Sequence, residues 1–424
     1  MLKQITHSLL DYPRNKPKSV VHLYLFILFV GFTAAILLWQ VGSLSAQQDG
    51  CETGQGIDET LSTGTRWELC WSVAEAEGIL LHQIHITTPD GSRRQVLNEA
   101  GLAQIYTHYD DGETGYHYLS DVGLGGDRFI SLTENDCPQG QLLQRDGQNV
   151  LCQQIIPRGY VYRHFLNQRQ GEYLRLFSAS DVGGPVYLVE WRFYDDGTIE
   201  PLLGDTGVLL HTSSDPADGR PLDSGSRFGI GYINNVYWRL DFGIGDSAVD
   251  TAVEELELLP MDNNRQRALN VTTFEVENKR NTFREQKRSW RVKLSTQNSD
   301  GHPISYQLEP RNLGHEYMGG ESEPWTHHQL YVTVDKPCER LASRNPQEPS
   351  CGSHVDQFVN GESLTDADIV LWYGASSYRL IRDEDEPVKP TQWLSFQLIP
   401  RDWTAQNPLI SAQFVNSPSV VESR

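Results

Sequence analysis

A strand–turn–strand pattern between residues 181 and 203 constrains the fold more than any other stretch of this chain. From 186 to 194, Val, Glu, Arg and aromatic residues alternate as they do in a strand with one buried face. Asp196 and Gly197 follow, and both tolerate the positive φ angles of a hairpin turn. Residues 198–201 begin the returning strand. The stretch therefore predicts a long antiparallel hairpin.

The same pattern of alternating runs and turn residues extends over most of the chain. Short alternating runs end at Gly, Asp, Asn or Pro, and glycine occurs 36 times in 424 residues. The sequence shows no long amphipathic helix and no internal repeat of fixed period. Evenly spaced short strands with turn residues between them are typical of all-β proteins. We therefore predict an all-β fold, a large antiparallel β-sandwich, over residues 66–424.

A charge-free segment precedes this region. Residues 19–48 carry no charged side chain, and about 20 apolar residues suffice to cross a bilayer as a helix. Four basic residues come before the segment: Lys3, Arg14, Lys16 and Lys18. Because basic residues stay on the cytoplasmic side, we predict a cytoplasmic N-terminus at 1–18, a transmembrane helix at 19–44 and a tether at 45–65.

A cleaved signal peptide is the alternative interpretation of this segment. The cut would fall near Ala46, but Leu44 makes a poor small-residue cleavage site and the basic leader is long. We favour the uncleaved anchor. Either interpretation places the β-sandwich outside the cytoplasm, in a periplasmic or extracellular setting, and the first one makes the chain a single-pass membrane protein.

The cysteines point to the same compartment. All six follow the apolar segment: Cys51, Cys70, Cys137, Cys152, Cys338 and Cys351. An even number outside the membrane predicts disulfides, and the zinc-type C-x-x-C spacing is missing. The residues alone leave the pairing open. Closeness in the chain favours Cys51–Cys70, Cys137–Cys152 and Cys338–Cys351.

The net charge of the chain limits the classes of partner that it can bind. The formal net charge is −21, although the N-terminal segment before the apolar stretch is basic. A strongly acidic surface repels nucleic acid and anionic lipid headgroups and attracts cations or basic partners. We therefore expect no nucleic-acid binding.

The hairpin and its approach resemble a hairpin in the catalytic domain of the copper amine oxidases. That family reads V-G-N-Y-D-Y, an aromatic strand and then D-G-T-I. The Tyr between Asn and Asp is the residue that the family oxidises into its quinone cofactor, topaquinone. In this chain Pro185 falls at that position, between Gly184 and Val186, and Tyr187 is kept.

Two further segments carry the resemblance to the copper site. The family shows H-x-H, four residues and then R-L-D, and here Tyr232 and Asn234 stand at the two His positions before a retained Arg239. Imidazoles spaced by one residue share a strand face and can hold copper together. The family's third His precedes P-R-x-E-D-x-P-V-x-P, and Arg379 stands there. A guanidinium offers no lone pair to a metal.

The segment around Asp121 resembles the family segment that supplies the catalytic base. The alignment is one residue short there, and an Asp before Gly is also an ordinary turn residue. We assign Asp121 to the base position as a hypothesis. The stretch from Cys137 to Cys152 resembles the family's disulfide-bearing hairpin.

Amine oxidation needs copper, an oxidisable Tyr and a carboxylate base. Because these positions are changed, the resemblance implies a catalytically inactive relative for which neither copper nor topaquinone is expected. We predict an accessory or binding protein, homodimeric like the family, that binds amines or a true amine oxidase.

Two alternatives stay open. One is an active primary-amine oxidase with atypical ligands, drawn from His164, His315, His327, His328 and His354. The other is a purely structural protein of the cell envelope.

Overall fold

Antiparallel strands dominate the computed structural model of the protein. The structure describes residue 51 and residues 54–410, except 112–115, 166, 211, 223–224, 246–249, 263–264, 312–318, 320 and 347–350. The predicted cytoplasmic segment 1–18 and the predicted membrane helix 19–44 therefore lie outside the described residues. None of the helices in the described part has the length and apolar character that crossing a bilayer requires.

Nine strands of the described residues form the first sheet. They are β1 (Gln55–Thr60), β2 (Arg66–Ala74), β3 (Gly78–Thr87), β4 (Arg93–Tyr109), β5 (Tyr116–Tyr118), β14 (Tyr232–Phe242), β17 (Asn278–Arg280), β20 (Leu330–Val334) and β21 (Ile369–Arg379). Their order is β1-β2-β3-β4-β14-β21-β20-β17, and β5 also pairs with β4.

Ten strands, counted over the same described residues, form the second sheet. They are β6 (Gln141–Arg145), β7 (Gln148–His164), β8 (Asn167–Asp181), β9 (Pro185–Tyr194), β10 (Ile199–Gly207), β15 (Thr251–Pro260), β16 (Arg267–Thr273), β18 (Ser289–Gln297), β19 (Pro303–Pro310) and β22 (Lys389–Arg401). Their order is β16-β15-β18-β19-β22-β10-β9-β8-β7-β6.

The remaining elements are short. A small sheet contains β11 (Thr212–Ser213), β12 (Arg220–Leu222) and β13 (Arg227–Gly229). In the part of the chain that the structure describes, two single-turn helices are α1 (Leu119–Val122) and α2 (Val355–Phe358). Single 3₁₀ turns lie at Gly126–Arg128, Arg284–Gln286, Pro324–Thr326 and Asp383–Asp385.

Aromatic side chains from the two large sheets meet in one core. Trp67 of β2 lies 5.1 Å from Phe193 of β9 between ring centroids, and Trp238 of β14 lies 5.1 Å from Phe396 of β22. All four side chains are fully buried. Removing such large aromatic areas from water contributes to the stability of the core. The predicted all-β sandwich is confirmed.

The hairpin predicted from the sequence is β9–β10. The amide of Gly197 donates to the carbonyl of Tyr194 over 3.0 Å, and Gly197 has a φ of +90°. That conformation suits glycine, which has no Cβ to clash. The predicted tether at 45–65 needs a correction, because β1 lies inside it. Its sequence has one buried apolar residue, Ile57, so the alternation that marks a strand is weak there.

Disulfides close two loops of the described region. Cys137 bonds to Cys152 and Cys338 bonds to Cys351, as closeness in the chain favoured. Cys51 and Cys70 are also disulfide-bonded. The prediction of disulfides is confirmed.

Candidate functional site

Strand pairing brings the three positions that resemble copper ligands together. Strand β14 lies between β4 and β21, and all eleven of its residues are buried. Tyr232 is directly paired with Arg379 across β14 and β21. Asn234 is two residues further along β14, on the same face as Tyr232, and is paired with Thr107 of β4.

A buried group of charged and polar side chains surrounds this pair. We name it the ion cluster, and its members are Asp205, Tyr232, Arg379, Asp385 and Lys389. None of the five is more than 5% exposed. Burying four formal charges is unfavourable unless each is paired, so the contacts within the cluster decide whether it is stable.

Asp205 of β10 is the centre of the ion cluster. Its carboxylate accepts a hydrogen bond from the Tyr232 hydroxyl over 2.6 Å and one from Lys389 Nζ over 3.0 Å. Lys389 Nζ also donates to the Tyr232 hydroxyl over 2.6 Å. Together these three contacts form a closed triangle, so each polar atom in it has a partner.

Arg379 completes the charge balance. Its Nη1 donates to Asp385 Oδ1 over 3.0 Å, and its Nη2 donates to the carbonyls of Asp205 and Pro390, each over 3.1 Å. Its Nε lies 3.4 Å from the Asp205 carboxylate. Arg379 and Lys389 together offset the two aspartates, so the ion cluster is formally neutral.

Burial shifts the pKa values of the cluster's titrating groups. Loss of water raises the pKa of Tyr232 far above its usual range, and the neighbouring Asp205 charge raises it further. Burial lowers the pKa of Lys389, while Asp205 opposes that shift. Burial and the Asp205 charge therefore favour the neutral phenol of Tyr232 within the cluster.

The hairpin places Pro185 and Tyr187 beside the cluster. Pro185 begins β9, and Tyr187 is paired with Asp205 of β10. The Tyr187 hydroxyl lies 3.2 Å from the hydroxyl of Thr107, which donates to Asn234 over 2.6 Å. Burial raises the pKa of Tyr187 well above its usual value. Tyr187 is thus a buried, hydrogen-bonded phenol.

The space next to Pro185 and Tyr187 is small. A cavity of about 30 Å³ is lined there mainly by apolar and aromatic residues. That volume holds roughly one water molecule. Pockets that bury a small organic ligand occupy about 300–1,000 Å³. The cavity in this conformation is therefore about a tenth of the volume of the smallest such pockets.

The carboxylate of Asp121 pairs with a residue outside the ion cluster. Asp121 sits in α1, and its carboxylate pairs with Arg344. The Asp121 side chain is 49% exposed, and its neighbours Leu119 and Val122 line the small cavity while Asp121 does not. Its role as a catalytic base stays a prediction.

The alternative histidines have different hydrogen-bond partners. His164 ends β7, His327 Nε2 lies 2.7 Å from the carbonyl of Gly319, and His328 Nδ1 lies 3.2 Å from Asn281. His315 lies outside the described residues. Within the described part of the chain, no three His, Cys, Asp or Glu side chains are grouped closely enough to hold a metal ion.

Sequence reasoning did not identify Asp205, Lys389 or Thr107 as members of the site. Asp205 and Thr107 stand in ordinary strand sequences, and Lys389 occupies a variable position of the P-V-x-P pattern. Tyr232 and Asn234 are two residues apart, and this spacing was the local feature that predicted a shared strand face. The other contacts depend on which strands are neighbours.

Comparisons with known proteins agree with the fold. The family model described as "Copper amine oxidase, enzyme domain" matches residues 57–417. A primary amine oxidase of Arthrobacter sp. (strain P1) is 24% identical over 391 residues, covering 82% of this chain and 60% of the relative. The copper-containing amine oxidase gamma 1 of Arabidopsis thaliana is 21% identical over 434 residues, covering 88% and 60%.

Solved structures show the same architecture. A copper-containing benzylamine oxidase from Hansenula polymorpha superposes with a TM-score of 0.69 at 18% identity, covering 81% of this chain and 60% of that one. The Aspergillus nidulans amine oxidase gives a TM-score of 0.69 at 18% identity, covering 86% and 56%. The fold and the family match define a copper amine oxidase enzyme domain, and this chain belongs to that family. It spans about 60% of the length of the two curated relatives described above.

Family membership corrects one expectation. We expected no cofactor, but the relatives include copper-containing amine oxidases, so the family points to copper. The residues at the three positions that resemble copper ligands do not fit this metal in the arrangement that the resemblance implies. The Tyr232 hydroxyl accepts a hydrogen bond from Lys389, and Arg379 carries a guanidinium without a lone pair for a metal. Neither offers the imidazole nitrogen that copper favours.

Proposed function

We propose that this chain is a copper amine oxidase family member that does not oxidise amines at the ion cluster and acts as an accessory or binding protein. One observation supports this most strongly. Arg379 stands at the third of the positions that resemble copper ligands and pairs with Asp205 and Asp385, while Lys389 donates to the Tyr232 hydroxyl. A guanidinium has no lone pair to offer a metal.

The small cavity supports the same proposal. Its volume of about 30 Å³ beside Tyr187 leaves no room for a substrate amine next to a reactive residue. Amines and a true amine oxidase are the partners that follow from the resemblance. We also propose a homodimer, as in the family.

The second candidate is an active primary-amine oxidase with atypical site residues. Tyr187 favours it, because this buried phenol lies beside Thr107 and Asn234 and could replace the Tyr missing at position 185. Such an enzyme would convert an amine to an aldehyde, ammonia and hydrogen peroxide.

We further propose that residues 19–44 anchor the chain in a membrane and that the β-sandwich lies outside the cytoplasm. The charge-free segment and the basic residues before it support this topology. Three disulfide-forming cysteine pairs agree with an oxidising compartment.

Amine-dependent oxygen uptake tests the proposed function. The purified full chain is loaded with copper and compared with the Arthrobacter relative under the same conditions. We expect uptake from the relative and none from this chain. Sustained uptake by this chain would favour the second candidate.

A further inference from the structure

A lysine amine and an aspartate carboxyl meet where β10 and β22 pair. The register of these strands shifts between Asp205 and Gly207, and Lys389 is paired with Gly207. Lys389 Nζ lies 3.0 Å from Asp205 Oδ1. A nucleophilic nitrogen is therefore held in contact with a carboxyl group by the folded chain. Two groups that are fixed in such an arrangement react far faster than the same groups free in solution.

Burial distinguishes this pair from the other lysine–carboxylate contacts. The Lys389 side chain is 2% exposed and the Asp205 side chain is 7% exposed. Because a separated cation and anion are unfavourable away from water, burial favours the loss of both charges. Other lysine–carboxylate pairs of the described residues have lysine side chains that are 27% to 38% exposed, and these lysines are Lys279, Lys293 and Lys336.

Tyr232 bridges the amine and the carboxyl group. Its hydroxyl donates to Asp205 Oδ2 over 2.6 Å and accepts from Lys389 Nζ over 2.6 Å. A hydroxyl in this position can take a proton from the nitrogen while it gives its own proton to the carboxyl oxygen. The transfer leaves a neutral carboxylic acid and a neutral amine, whose lone pair makes it a nucleophile.

The other members of the ion cluster keep their balance when these two charges are lost. Arg379 Nη1 donates to Asp385 Oδ1 over 3.0 Å, so this cation has an anion of its own. Without the charges of Lys389 and Asp205 the cluster still has no net formal charge. It then holds one buried ion pair in place of two, which reduces the cost of keeping charges away from water.

We propose that Lys389 and Asp205 form an intramolecular isopeptide bond after the chain folds, with Tyr232 carrying the protons. The bond between Lys389 Nζ and Asp205 Cγ forms, and the bond between Cγ and Oδ2 breaks. Oδ2 leaves as water with two protons that come from the ammonium group through the Tyr232 hydroxyl. No oxidation state changes, so the step needs no oxidant, reductant or co-reactant. The ion pair described above is the state before this bond forms.

The bond joins two neighbouring strands of the second sheet. Its two residues are 184 positions apart in the sequence, so it closes a long loop of the chain covalently. A closed loop restricts the unfolded chain and therefore favours the folded state. The proposal goes beyond the proposed function, because it concerns a bond within the chain and not what the chain binds or oxidises.

Peptide mapping of the purified full chain tests this proposal. After reduction of the disulfides, trypsin should release residues 193–227, which contain Asp205, and residues 383–401, which contain Lys389. We expect these two peptides to be joined and to be lighter than their sum by the mass of one water molecule. Fragment ions should place the link between Asp205 and Lys389.

Three variants test the roles of the side chains. Lys389→Met removes the amine and should give two separate peptides. Lys293→Met is the matched control, because it removes a lysine that pairs with Glu254 instead, and its peptides should stay joined. Tyr232→Phe removes the proton carrier, so the joined peptide should form about a hundredfold more slowly after synthesis.

Each other outcome would overturn a part of the proposal. Two separate peptides of unmodified mass from the unmodified chain would overturn the bond, and this result does not depend on whether a variant folds. Loss of water within residues 193–227 alone would indicate a cyclised aspartate and would also overturn the bond. An unchanged rate in Tyr232→Phe would overturn the role of Tyr232. The peptide masses are independent of amine oxidation, so peroxide measurements report on the proposed function separately.

Discussion

Tyr232 and Arg379 face each other across two paired strands, and both contact the carboxylate of Asp205. Lys389 contacts the same carboxylate. Because Arg379 and Lys389 offset Asp205 and Asp385, the ion cluster has no net formal charge. A set of this kind is stable only while every member is present. Removing one partner leaves an uncompensated charge among buried side chains.

The first prediction concerns Asp205. Asp205→Asn should lower the free energy of unfolding by about 3–5 kcal/mol, because Lys389 and Arg379 stay buried with too little negative charge nearby. Urea unfolding of both proteins measures the difference. Asp383→Asn is the control, since the Asp383 side chain is 77% exposed in its pair with Arg220. An equal loss in both variants would show that the ion cluster contributes no more to the free energy of unfolding than an exposed ion pair does.

The second prediction concerns Asp241. Burial raises the pKa of this carboxyl to about 7, against the influence of Arg239. The folded protein therefore binds a proton that the unfolded chain releases near its ordinary value of about 4. This contribution to stability is fully present below that value and is lost as the pH rises through about 7.

Asp241→Asn should therefore remove one component of the pH dependence. Between pH values of about 4 and 7, the stability of the unmodified protein should fall relative to the variant by up to about 1.4 kcal/mol per pH unit. Thermal unfolding across this range measures it, with Glu134→Gln as a control. Parallel curves for the unmodified protein and Asp241→Asn would contradict the raised pKa.

The third prediction concerns the disulfide between Cys137 and Cys152, which are 15 residues apart. Closing a loop of this length restricts the unfolded chain, so replacing both cysteines by Ala should cost about 3 kcal/mol. Denaturant unfolding under non-reducing conditions tests it. Peptide mapping without reduction supplies the control, because it shows whether the bond exists in the purified protein.

The fourth prediction concerns topology. A reporter fused after Gln48 should report the non-cytoplasmic face, and the mature protein should keep its N-terminal segment. The reason is the basic N-terminus, which stays on the cytoplasmic side. A mature N-terminus near Gln47 would replace the anchor with a signal peptide.

Local patterns in the sequence predicted the sandwich and its central hairpin. Alternation marks a half-buried strand, and Gly197 marks the turn between β9 and β10. Strand β1 was missed because Ile57 is its one fully buried residue. Strand β14 is buried on both faces, so its sequence does not alternate between apolar and polar residues as a half-buried strand does. Its Asn and Arg residues also interrupt the continuous apolar run that is typical of a fully buried strand.

The site was predictable in part. The spacing of Tyr232 and Asn234 predicts a shared face, and the structure places them so. Lys389 reads as a surface lysine in the sequence, yet it is 3% exposed. Its burial depends on the pairing of β10 with β22, which puts Gly207 opposite Lys389. Long-range pairing of this kind leaves no local signal.

The proposed function depends most on whether this chain turns over amines. The most direct measurement is hydrogen peroxide release from primary amines by the copper-loaded full chain, alongside its Tyr187→Phe variant and the Arthrobacter relative. We predict release by the relative alone, because Arg379 offers copper no lone pair and the cavity beside Tyr187 has a volume of about 30 Å³. Amine-dependent peroxide from the unmodified chain that disappears in Tyr187→Phe would contradict this account and identify Tyr187 as the reactive residue.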